Sequence, residues 1–210
     1  MSNEDASTSR LRIAVMASGS GTTLQAVIDA CAEGDLDAEI VLVISNNSHS
    51  GAMARARKHD IPSVHLSSRT HGNPEALDRA IADVLAESTP DVVLLAGYMK
   101  KLGPQVLEAY RGRVINTHPS LLPKFGGQGM YGTHVHSAVI DAGDRVSGIS
   151  VHLVDGEYDS GRVLAQREVP VESGDDVVSL AGRVQSVERP FLVEVLQRIA
   201  SAEIRLNLPC

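Results

Sequence analysis

Apolar residues in the first half of the chain gather into short runs, and the stretches between them carry a helical spacing. Positions 11–17, 39–44 and 91–96 are runs of this kind, the last holding Val92, Val93, Leu94 and Leu95 without a break. A continuous apolar run of strand length suits a strand buried on both faces, as in a parallel sheet covered by helices. A shorter strand is predicted over 61–66. Between the first two runs, Leu24, Val27, Ile28 and Cys31 recur at helical intervals and predict a helix over 24–33, ended by Gly34. Helices are also predicted over 52–59 and, with Pro74 in the first turn, over 74–87. The polar stretch 67–73 reads as loop.

The second half changes character. A short helix over 104–110 leads to a strand over 113–116. Residues 124–133 contain four glycines and no periodicity, and read as a mobile loop. A helix is predicted over 134–142. Residues 149–154 alternate as a half-buried strand, and 163–171 form another that can pair with it antiparallel. Asp175 and Asp176 cap a helix running to Val187, and Pro190 kinks or restarts it, the second part ending at Ile199. The predicted fold is α/β: a Rossmann-like, mainly parallel twisted sheet with helices on both faces and antiparallel strands in the C-terminal half. It forms one domain over 11–202, between a disordered polar tail (1–10) and a C-terminal tail (203–210).

Composition narrows the possibilities. Of 210 residues 43% are apolar, but there is no Trp and there are only two Phe and four Tyr, so the core must be built from Val, Leu, Ile and Ala. The net charge of −7 argues against a general nucleic-acid or anionic-membrane surface, which wants a basic patch. Cys31 and Cys210 are expected to be reduced thiols of a cytoplasmic protein. The first residues lack the apolar segment of a signal peptide, and no run reaches membrane-spanning length. Polar faces and the single domain allow a monomer, and a homodimer through helix faces is equally compatible with the sequence.

In a sheet of this kind ligands bind beyond the carboxyl ends of the strands. Four loops meet that description: 18–23, 45–47, 97–102 and 116–123. In the first, Gly19 and Gly21 join a strand to a helix, followed by Thr22 and Thr23. Glycines let backbone N–H groups approach an anion, and the helix N-terminus adds partial positive charge. There is no third glycine and no acidic residue at the end of the second strand. The pattern therefore favours a phosphate monoester over a dinucleotide, and it lacks the Gly-Lys-Ser/Thr of a P-loop.

The fourth loop reads Asn116-Thr117-His118-Pro119-Ser120-Leu121-Leu122-Pro123. Asn can donate to a developing oxyanion, His can move protons near neutral pH, and the two prolines fix the backbone. The same side chains could instead satisfy local backbone groups. A catalytic His needs a carboxylate, and Asp155, Glu157 and Asp159 follow the 149–154 strand. Spacing does not choose among them. The eight His are scattered, and His134 and His136, two apart on a helix, point in different directions, so no metal site is expected. His152, between Val151 and Leu153, either faces the site or is a satisfied half-buried His, the second being slightly favoured.

Together, the segments 18–25, 95–99, 116–123 and 155–161 resemble the phosphoribosylglycinamide formyltransferases, over residues 12–199. The Asn-x-His-Pro-Ser-Leu-Leu-Pro motif belongs to the wider folate-dependent formyltransferase group. The Gly-Thr after the first strand, with Gln185 and Glu188 in the last helix, narrows it to the purine enzymes. The resemblance implies transfer of a formyl group from 10-formyltetrahydrofolate to the amine of glycinamide ribonucleotide in purine (IMP) biosynthesis, with no metal. It implies a phosphate-binding half over 11–110 and a catalytic, folate-binding half over 111–202. Asn116, His118 and Asp159 match the catalytic trio. Gly21, Thr22, Thr23, Gln185 and Glu188 match the ribonucleotide site. Leu95, Met99, Lys100, Lys101, Leu102, Asn116, Asp155 and Gly156 line up with the folate pocket. The alternatives are a formyltetrahydrofolate deformylase, which has an added N-terminal domain, a methionyl-tRNA formyltransferase, which needs a further domain and a basic surface, and an inactive nucleotide-binding module.

Overall fold

Strands β1 (Leu11–Ala17), β2 (Ala38–Ser45), β3 (Ser63–His65), β4 (Val92–Leu95), β5 (Val114–His118), β6 (Val146–Leu153) and β7 (Val163–Pro170) make one sheet, in the order β3-β2-β1-β4-β5-β6-β7. The computed structural model describes residues 10–207; residues 1–9 and 208–210, which make up most of the expected tails and include Cys210, lie outside the described residues. The first five strands in the order pair in parallel, β5 pairs antiparallel with β6, and β6 antiparallel with β7. The chain thus starts in the middle of the sheet, builds outward to β3, then crosses back to β4. The switch falls between β1 and β4, where the loops that follow them diverge and open a crevice.

Helices cover both faces. Apolar side chains of β1, α1 (Thr22–Glu33), α2 (Gly51–Lys58), α6 (Thr133–Asp141) and α7 (Val177–Ala200) form one core, with Ile13, Leu24, Val27, Leu180 and Leu196 fully buried. On the other face Met16, Ile44 and Val93 lie under α4 (Pro74–Ser88) and α5 (Pro104–Ala109). With so few aromatic rings, close packing rests on branched aliphatic residues, as the composition requires. Among the described residues no helix is long and apolar enough to cross a membrane.

Several boundaries depart from expectation, each for a local reason. The stretch expected as loop contains a short helix, α3 (Ser68–His71), where the Thr70 hydroxyl accepts from the Ser67 N–H at 2.9 Å. Helix α7 runs unbroken through Pro190. Loss of one N–H is outweighed there by the buried face of Leu180, Val184, Phe191, Leu192, Val195 and Leu196 on both sides of the proline. Strand β6 begins three residues earlier than its alternation suggests, because β7 supplies partners from Val146 onward. Strand β5 extends through Thr117 and His118, which changes the reading of the motif: Asn116 and His118 are strand residues, not loop residues. Beyond α7, Ile204 and Leu206 pack against the core.

One buried charge fixes the second layer. Asp78, on α4, accepts from the N–H groups of Gln105 (2.8 Å) and Val106 (3.2 Å) in the first turn of α5. A neighbouring helix therefore supplies the cap that α5 lacks in its own sequence. Asp78→Ala is expected to cost about 2 kcal/mol, since two buried donors lose their acceptor at once. A denaturant midpoint equal to the parent's would show that α5 docks without it.

Candidate active site

Residues two apart on a strand share a face, so β5 presents Asn116 and His118 on one side and Thr117 on the other. Strand β6 runs antiparallel beside it and sets His152 opposite Asn116. The loop after β6 then turns back and brings Asp159 to the same place, with a positive φ of 55°. Asp159 Oδ2 lies 3.4 Å from His118 Nδ1, and its Oδ1 lies 3.5 Å from His152 Nε2. The Gly127 N–H donates to Asp159 Oδ2 at 3.0 Å, which ties the carboxylate to the glycine-rich loop. Of the three acids that spacing left open, Asp159 is the one beside the imidazole.

The hydrogen bonds set the roles of the ring nitrogens. His118 Nε2–H donates to the Phe125 carbonyl at 2.8 Å. Its Nδ1 then faces only the Asp159 carboxylate, so both nitrogens point at acceptors, an arrangement that an imidazolium satisfies on both sides. His152 Nδ1–H donates to its neighbour's carbonyl, Leu153 O, at 2.9 Å. Its Nε2 is then free to accept from Asn116 Nδ2 at 3.2 Å. Burial lowers the His152 pKa, opposed by the Leu153 hydrogen bond and by the Asp159 charge. Expected to be a satisfied half-buried residue, His152 is fully buried and bonded at both nitrogens, one of them to Asn116 in the site. Its neutral ring holds the Asn116 amide, whose second N–H remains open to the cleft.

The opposite side of β5 carries a second arrangement. Thr117 Oγ1 donates to Glu188 Oε1 at 2.9 Å, across to α7. Burial raises the Glu188 pKa, with the Thr117 hydrogen bond working the other way. The folded state therefore holds this proton more tightly than the unfolded chain does. The associated stability is complete below the ordinary glutamate range and is lost as pH rises through the raised value. Glu188→Gln, which has no charge to desolvate, should melt above the parent at pH 7 to 8, and the difference should shrink toward pH 5. A difference constant with pH would contradict this origin.

These groups line a cleft of about 720 Å³. Its walls bring together Thr23, Gln185 and Glu188 with Met99, Lys100 and Tyr158 and with Asn116, His118 and Asp159. A recess of about 90 Å³ beside it has walls of Leu95, Leu102, Leu107, Val154 and Gly156, with Lys101 at its rim. Asp155, expected in the folate pocket, lines neither cavity, because its Oδ1 accepts from the Ser160 hydroxyl at 2.9 Å. Gly21 adopts the left-handed conformation at the start of α1, and no side chain caps that end. The first N–H groups of α1, at Thr22 and Thr23, are therefore unclaimed. Thr23 reaches the cleft wall, whereas Thr22 does not line it. Among the described residues no three His, Cys, Asp or Glu side chains gather into a metal-binding group.

A sequence profile described as "Formyl transferase" matches residues 11–196. The chain belongs to the formyl transferase family. Its similarity to a chloroplastic phosphoribosylglycinamide formyltransferase of Vigna unguiculata is 39% identity over 93% of this chain, which spans 62% of that relative's length. The phosphoribosylglycinamide formyltransferase of Haemophilus influenzae is 36% identical over 93% of this chain and 90% of its own. Among solved structures, the phosphoribosylglycinamide formyltransferase of Bacillus halodurans superimposes with a TM-score of 0.84 at 36% identity, covering 91% of this chain and 96% of that one. The mixed sheet with antiparallel C-terminal strands is the architecture of that neighbour.

Three residues of this formyl transferase site escape sequence reasoning. His136 lies on α6, is buried and lines the cleft; burial and the neighbouring His118 lower its pKa. Thr117 sits inside the motif, but its role depends on a helix seventy-one residues away. Tyr158 borders both cavities and stacks against the Lys101 ammonium, 5.6 Å from the ring centre. Only His152 left a trace in the sequence, by alternating in step with the strand that pairs with Asn116.

Proposed function

We propose that this formyl transferase moves the formyl group of 10-formyltetrahydrofolate to the amine of glycinamide ribonucleotide. The observation that carries the proposal is the meeting of Asn116, His118 and Asp159 in the wall of one cleft, which Thr23 at the start of α1 also lines and which adjoins a largely apolar recess. The relatives named above carry that activity in their names. Unclaimed N–H groups at the start of α1 suit a phosphate dianion. Gln185 and Glu188 offer polar partners for the rest of the ribonucleotide. The walls of Leu95, Leu102, Leu107 and Val154 suit a flat heteroaromatic ring, and the cleft volume is of the size that holds such ligands.

Formyl-folate is the second substrate and supplies the reacting carbon. Attack by the neutral amine forms the new C–N bond and places negative charge on the formyl oxygen. The free N–H of Asn116 and an N–H of His118 stabilise that oxygen. Asp159, 3.4 Å from His118 Nδ1, orients the imidazole and stands where it can take the proton the amine must lose. Collapse breaks the bond to the folate nitrogen, which accepts a proton and leaves as tetrahydrofolate.

The test is release of tetrahydrofolate from 10-formyltetrahydrofolate, followed with and without glycinamide ribonucleotide. Release that requires the ribonucleotide is expected. Equal release without it would assign the chain to formyl-folate hydrolysis, and no release under either condition would leave a binding protein.

A further inference from the structure

The loop that joins β1 to α1 does not hold its shape alone. Helix α2 presses against it from below. The Ala52 N–H, in the first turn of α2, donates to the Gly19 carbonyl at 3.2 Å. A side chain on Gly51 would meet the Ser20 carbonyl oxygen at 2.3 Å, and one on Gly21 would meet Ala52 Cα at 2.6 Å. One turn further along α2, the half-buried Arg55 reaches back over this contact. Its Nε donates to the Ser20 carbonyl at 3.1 Å, and its Nη1 donates to Gln25 Oε1, on α1, at 2.8 Å. Gln25 Nε2 in turn donates to Asp29 Oδ1 at 2.7 Å, one turn on.

We propose that Arg55 is the positioning residue of the ribonucleotide phosphate loop, a reading that rests on the function proposed above. A phosphate can be cradled by backbone N–H groups only if the intervening carbonyls turn elsewhere. Arg55 supplies an acceptor-hungry partner that draws the Ser20 carbonyl toward α2. With its other arm it fixes the first turn of α1 at Gln25. The planar guanidinium spans loop and helix together, which a lysine ammonium on the same stem cannot do. It thereby sets the angle at which Gly21, Thr22 and Thr23 offer their N–H groups. Arg57, two residues on, is exposed and carries the same charge with no such strap.

The prediction separates binding from chemistry. In Arg55→Ala the Kd and KM for glycinamide ribonucleotide should rise about ten- to a hundredfold, the loss expected of a charge-assisted bond held by a half-buried residue. The kcat at saturation and the KM for formyl-folate should stay within about threefold, the pattern of binding lost equally in ground and transition states. Arg57→Ala removes an equal charge and should leave the ribonucleotide Kd within about threefold. Arg55→Lys, which keeps charge and fold, should remain weakened by about fivefold or more. Calorimetric titration with the ribonucleotide and steady-state kinetics read all four. A ribonucleotide Kd unchanged in Arg55→Ala overturns the proposal. So does an equal weakening in Arg57→Ala, which would make charge alone responsible, or an equal loss of both substrates, which would reduce Arg55 to a stabilising contact. Failure of the parent protein itself to bind the ribonucleotide would instead refute the function on which the proposal stands.

Discussion

Asn116→Ala is expected to lower kcat by about a hundred- to a thousandfold, the usual loss when one oxyanion donor is removed. The expectation is sharp because the substitution disturbs little else. Asn116 pairs through its backbone with β4 and β6, and those ladders do not involve the amide side chain. One Nδ2–H is engaged by His152 and the other faces the cleft, so the amide plane is fixed before any substrate arrives. Truncation also leaves His152 Nε2 buried without its donor, which should lower stability by about 1 to 3 kcal/mol. Two readouts therefore move together by different amounts: a large fall in turnover and a modest fall in melting temperature. If turnover falls less than tenfold while the KM for formyl-folate climbs steeply, the amide is a binding group and not an oxyanion donor.

Asp159→Asn should have an effect of similar size, about a hundred- to ten-thousandfold on kcat/KM, as expected for loss of a positioned proton-transfer group. Asn preserves the shape, tolerates the positive φ of 55°, and can still accept from the Gly127 N–H. What disappears is the negative charge that His118 and His152 share. In the parent, the pH–rate profile should report the coupled His118–Asp159 pair and not either group alone. In the variant, the limb belonging to that pair should move or vanish. A variant profile that superimposes on the parent's would falsify the role of Asp159.

Much of this was legible in the order of the residues. The strand runs, the glycine turn after β1 and the start of α4 at Pro74 follow from short-range rules, because each depends on neighbours within one or two turns. Gly21 does open the start of α1, but of Gly21, Thr22 and Thr23 only Thr23 lines the cleft. Where long-range contacts decide, the sequence is silent. Nothing local says that Asp155 turns to Ser160 while Asp159 turns to His118. Nothing local ties Thr117 to Glu188, or lets α7 pass through Pro190 because apolar residues on both sides of it face a core built elsewhere. The extension of β5 through His118 depends on β6, whose partner residues lie more than thirty positions away. The resemblance to formyl transferases carried the choice of Asp159, which physical spacing could not make.

Strand β5 places the amide and the imidazole on one face and the Thr117–Glu188 link on the other. A side-chain period of two has an all-or-none consequence for chain length. Insertion or deletion of a single residue between 113 and 118 would send Asn116 and His118 toward α7 and part Thr117 from Glu188. Both ends of the reaction would be lost in one step, with no partially working intermediate form. The segment 126–132 carries no such parity. Length variation among proteins built on this plan should therefore gather in that roof, while β5 keeps its residue count unchanged.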